Sequence, residues 1–109
     1  MRFTIDPKIF EQNHDLKIGA IILRGINNTR RVSPVESLLR GACAQKAKQF
    51  SNMDIYDHPM IQAWSQAYGK FGINPRKFPP SIAALLKRVK NGKDISHINL
   101  LVDIYNYFS

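Results

Sequence analysis

A mixed α/β class weighted towards helix is predicted by three features of the sequence. Two β-favouring segments, "RFTI" (2–5) and "LKIGAIILRG" (16–25), sit near the N-terminus. From Ser33 onward, four segments carry apolar residues at helical spacing. The hydrophobic fraction of 44% with 22% charged residues belongs to a packed domain rather than a disordered chain.

The elements follow in order. Asp6 and Pro7 suit the start of a short helix over "DPKIFEQN". Ile18, Ile21, Ile22 and Leu23 lie between turn formers and predict a buried strand, followed by the polar loop "NNTRR" (27–31). In "SPVESLLRGACAQKAKQF" (33–50), Ser33 as N-cap, Pro34 next and Glu36 three residues on form a capping box. Leu39, Ala42, Cys43, Lys46 and Phe50 then trace a mostly apolar helical face.

Asp57-His58-Pro59 opens a further helix with Ile61, Trp64, Tyr68 and Phe71 on one face and Gly72 placed to end it. Three prolines in "INPRKFPPS" (73–81) stop any helix and predict an extended surface segment. Ser81 is expected to cap "IAALLKRVKNG", whose Ile82, Leu85, Leu86 and Val89 share a stripe. Asn91-Gly92 ends it, with Lys87, Arg88 and Lys90 complementing the helix dipole in its last turn. Ser96 is expected to cap the closing helix. Two short strands are too few for a stable sheet beside four apolar helix faces. Either further strands lie in the loops or a partner sheet lies outside this chain.

Bulk properties narrow the function. At 109 residues the chain is read as one domain, 1–109. No apolar run is long enough for a membrane span, and no h-region of a signal peptide is present, so no membrane partner is expected. The lone Cys43 excludes an internal disulfide and a multi-cysteine zinc site; a reducing, cytoplasmic setting is expected. No motif implies a cofactor or a metal. The net charge is +8, and Lys70 to Lys93 holds seven basic residues and no acidic one. That segment is either a solvated basic face or a contact for a polyanion.

Individual residues offer little catalytic chemistry. His14, His58 and His97 are scattered; His58 suits a helix cap, and His97 a backbone contact at a helix start. Cys43 reads as a small core residue. Trp64, Tyr68 and Phe71 could stack on bases, but their spacing favours the core. Asn99, Asp103 and Asn106 share one face of an otherwise apolar helix. Buried polar groups without partners are costly, so they either tie loops together or line a polar cavity.

From His58 on, the motifs "HPxIxAW", "AYxxFGxxP", "PSxxALLxRVxxGK" and "INxLVDxYNxxS" occur in order. In this the chain resembles the B3/B4 domain of the phenylalanyl-tRNA synthetase β subunit, particularly its free-standing homologues; the first 57 residues match more loosely. The resemblance implies part of a three-layer β/β/α sandwich, with this chain as the N-terminal half. It implies a tRNA-related editing module that hydrolyses tyrosine wrongly esterified to the phenylalanine tRNA. The synthetase pocket is lined by a Thr-Asn pair corresponding to Tyr105 and Asn106, so Asn106 matches and Tyr105 departs. Ala83 stands where the free-standing pattern usually has glutamate. The family's pocket is completed by a histidine and a glutamate that would fall beyond Ser109, so the chain is expected to be incomplete and inactive alone. Arg76, Lys77, Arg88, Lys90 and Lys93 are expected to face tRNA. A homodimer, or a second chain completing the domain, is the expected protein partner. The alternative function is a non-catalytic RNA-binding or protein-interaction half-domain.

Overall fold

In the computed structural model, which describes residues 1–29 and 32–109, the chain forms five α-helices and one 3-10 turn, with no strand among the described residues. The helices are α1 (Pro7–Gln12), α2 (Ser33–Gln49), α3 (Pro59–Lys70), α4 (Ser81–Lys90) and α5 (Leu100–Phe108). The 3-10 turn, Ile55–Asp57, leads into α3.

The expected α/β sandwich is therefore corrected to a helical assembly. Neither 2–5 nor 16–25 forms a strand; both are non-helical and mostly exposed. A strand is held by ladder bonds to a neighbour, and β-branched composition alone does not supply one. Here the two segments find no ladder, and Ile21 is 86% exposed rather than buried.

The helix boundaries follow local chemistry. Asp6 accepts the Lys8 amide at 2.9 Å and so caps α1. Ser33 is the first residue of α2 rather than its cap; Val32 takes that position, and no side chain bonds there. Glu36 instead pairs with Arg40 along the helix. The same one-residue shift occurs at α4, where Pro80 precedes Ser81. His58 caps α3 through Nδ1, which accepts the Met60 amide at 3.3 Å. Gly72 (φ 69°) and Gly92 (φ 71°) turn the chain out of α3 and α4 in the left-handed region that only glycine enters freely. Ile73 then returns its amide to the Tyr68 carbonyl, and Lys93 its own to Arg88.

The core is small. Phe50, Ile55, Ile61, Ala83 and Leu86 form one buried cluster, with Met53, Tyr56 and Ile82 packed against it. Helix α2 lies against α4 and α5, and the 3-10 turn is wedged against α3 and α4. Long-range hydrogen bonds tie the loops to this frame. The Lys90 ammonium donates to the Met53 carbonyl at 2.6 Å, Tyr56 Oη to the Pro75 carbonyl at 2.9 Å, and Lys70 Nζ to the Gln12 carbonyl at 2.8 Å.

Candidate functional site: an aromatic groove between four helices

The apolar stripes of α2, α3 and α4 do not all close into core. They line one side each of a groove of about 440 Å³, within the usual range for a small-ligand site. Leu39, Ala42, Cys43, Lys46 and Phe50 come from α2; Ile61, Trp64 and Tyr68 from α3; Ile82, Leu85, Leu86 and Val89 from α4. Helix α5 supplies Tyr105, Asn106, Tyr107 and Ser109.

This corrects the expectation that Trp64, Tyr68 and Phe71 are core. Only Ile61 of that face is fully buried; Trp64 is 49% exposed, Tyr68 half-buried and Phe71 exposed. The reason is steric: Ile61 sits under the 3-10 turn and α4, while the later turns of α3 run out over the groove. Trp64 and Tyr68, one turn apart, meet edge-on at 90° with centroids 6.3 Å apart.

The polar line on α5 divides by role. Asn99 is the N-cap, its Oδ1 accepting the Val102 amide at 3.0 Å. It takes the place expected for Ser96. Asn28, far away in the chain, accepts the Leu101 amide at 2.9 Å and adds a second cap. Asp103 is 1% exposed and is satisfied from two sides. His97 Nδ1 donates to its Oδ2 at 2.5 Å, and the Ile98 amide donates to Oδ1 at 3.3 Å. His97 therefore bonds a carboxylate rather than backbone. Asn106, at the end of the line, is half-buried in the groove wall beside the 63%-exposed Tyr105. Tyr105 and Asn106, neighbours in the chain, both stand in the groove lining.

The five expected tRNA-facing cations are not equivalent. Arg76 is exposed but paired: its guanidinium bonds Asp54 at 2.9 Å and lies 4.4 Å from the Tyr56 ring centroid. The pairing raises Arg76 further and, after the Tyr56 amide bond, helps hold the Asp54 carboxyl below its ordinary 3.8. Lys90 bonds the Met53 carbonyl, and Arg88 Nε donates to the Asp94 carbonyl at 2.7 Å. Lys77 lies over the Phe78 ring at 5.4 Å, and Lys93 is exposed. None of these five lines the groove; its cation is Lys46.

Lys46 was visible in the sequence as a charged interruption of the α2 apolar face. Its ammonium bonds the neutral Gln49 amide oxygen at 3.0 Å. Ala83 is fully buried in the core. Among the described residues, no three His, Cys, Asp or Glu side chains gather to hold a metal ion, and no helix is long and apolar enough to cross a membrane.

Comparison with known proteins agrees with the motifs from His58 onward. No curated protein and no solved structure matches the chain. Residues 63–109 match the family model described as the B3/4 domain, a span that contains most of α3 and all of α4 and α5. The part of the chain that is similar to the B3/4 domain thus builds two walls of the groove and most of a third.

Proposed function

We propose that this protein is a tRNA-related module of the kind found in the phenylalanyl-tRNA synthetase β subunit, acting by binding rather than by hydrolysis. The observation that carries the reading is the position of Tyr105 and Asn106. Both line one groove, built largely by the segment that matches the B3/4 family. In this reading Asn106 offers an amide donor and acceptor to a bound group, and Tyr105 narrows the space around it. The surplus charge of +8 attracts the phosphate backbone, with Lys77 and Lys93 as direct contacts. Arg76, Arg88 and Lys90 contribute mainly by holding the surface that carries them, given their internal bonds.

Binding is preferred to hydrolysis because the described groove lining contains one imidazole, His58, whose Nδ1 already accepts the Met60 amide. General-base catalysis needs a group free to take a proton from water. The test is incubation with phenylalanine tRNA mischarged with tyrosine. Release of tyrosine at the rate of the protein-free blank is expected; rapid deacylation overturns the binding-only reading.

A protein-interaction role is favoured by one separate observation, the exposed apolar run Ile18, Ile21, Ile22 and Leu23. Solution mass by light scattering tests it. A dimer, or capture of a second chain, is its expected result, and a monomer that binds nothing but RNA contradicts it.

A further inference from the structure

Between α1 and α2 the chain runs through residues 16–24 with neither helix nor turn. No amide or carbonyl of residues 17–26 makes a hydrogen bond to another described residue. Ile18, Ile21, Ile22 and Leu23 are between 47% and 86% exposed. In an extended strand Ile18, Ala20 and Ile22 face one way, Ile21 and Leu23 the other. Apolar residues on both faces are the pattern of a strand covered on both sides of a sheet. The two charges, Lys17 and Arg24, are both basic and stand near opposite ends, on opposite faces. Neither makes an ion pair among the described residues, and no Asp or Glu occurs in 16–35.

We infer that residues 17–24 are a donor strand, completing a sheet of another protein whose facing strands carry an acidic residue near each end. This rests on the protein-interaction reading above and names the mode of contact and the chemistry of the partner. The open amides and carbonyls bond the partner's strand edge, the general basis of recognition by strand addition. Carboxylates beside Lys17 and Arg24 fix the register, which a strand apolar on both faces leaves weakly specified. A second copy fits less well. Antiparallel self-pairing about the centre of the segment sets Lys17 opposite Arg24 twice, between chains that each carry +8. A bilayer covers the isoleucines but leaves the open backbone groups without partners.

The probe is a labelled peptide of about nine alternating valine and threonine residues with a glutamate near each end, titrated into the whole protein. Saturable binding with a rise in β-type circular dichroism is expected. The same peptide with lysine for both glutamates should bind about tenfold more weakly. Its backbone N-methylated form should not bind, because it cannot donate to the open carbonyls. Ile21→Pro with Ile22→Pro removes an amide from each edge of the segment and should also abolish binding. The N-methylated peptide keeps the test valid should that variant misfold. A glutamate peptide that binds no better than its lysine and N-methylated forms overturns the donor strand. A dimer by light scattering that Ile21→Lys dissolves, with no peptide bound, also overturns it; a second copy then covers the segment and the protein-interaction reading stands. Sedimentation with phosphatidylglycerol vesicles in place of peptide binding overturns it in favour of a bilayer. A monomer that binds no peptide overturns both the donor strand and the protein-interaction reading.

Discussion

Asp103 carries the highest stakes of any single side chain in this protein. It is buried, and its two oxygens are matched by the His97 ring and the Ile98 amide. Removing one partner of a buried hydrogen-bonded pair leaves the other unsatisfied, which costs more than the bond itself contributes. Asp103→Ala should therefore destabilise the fold by about 2 kcal/mol in urea unfolding. His97→Ala should also be costly, and the double substitution little worse than Asp103→Ala alone. Additive effects would show that the two side chains do not act as a unit. Asp54 gives a pH signature. Its carboxyl is held low first by the Tyr56 amide and then by Arg76, so its stabilising effect is complete above the ordinary 3.8. That contribution is lost as pH falls through the lowered folded value. Asp54→Asn should differ in stability from the parent at neutral pH and converge with it in strong acid; a constant difference across the range contradicts the assignment.

Among the elements, the start of α5 is held by side chains from two places. Asn99 caps locally, while Asn28 reaches from the N-terminal part of the chain. Asn99→Ala should cost about 1 kcal/mol, and Asn28→Ala a similar amount, measured by thermal unfolding. An Asn28→Ala variant as stable as the parent would mean that the distant cap contributes nothing. Gly72 and Gly92 have open space where a Cβ would sit, so substitution by alanine meets only the backbone penalty of a positive φ. That penalty is about 1 kcal/mol at each position.

These elements also show what the sequence made legible. Pro7, Pro34 and Pro59 near helix starts, and Gly72 and Gly92 at helix ends, are local signals, and α1 to α4 lie where they placed them to within about a residue, whereas α5 starts at Leu100 behind Asn99 rather than behind Ser96. Whether an apolar stripe meets core or groove depends on distant partners, which is why Trp64 read as core. Lys46 and Asn106 marked the groove as polar interruptions of apolar faces. The Asn28 cap and the His97–Asp103 bond left no trace, because each joins residues by side-chain geometry rather than by spacing. The strands failed for the opposite reason: 16–25 has the composition of a strand without a neighbour to pair with.

At the scale of the molecule, the chain is broad and thin, with extents of 43 × 43 × 20 Å. Its radius of gyration is 16.2 Å, against about 13 Å for a compact domain of this length. Much apolar surface stays outside as a result, and the longest run of it in the chain is Leu16, Ile18, Ile21, Ile22, Leu23 and Ile26. Replacing Ile21 and Leu23 by lysine should raise solubility while changing stability by less than about 0.5 kcal/mol. A large loss of stability would show that the segment is packed after all. The open face, the excess positive charge and the aromatic groove are the features that the RNA-binding account joins together.

The most direct test of that account is the affinity of the intact protein for uncharged tRNA, measured across a salt series. Binding that is clear at low salt and weakens steeply as salt rises, with Asn106→Ala reducing it further at every salt concentration, is the predicted result. Equal indifference to tRNA at low and high salt would contradict it.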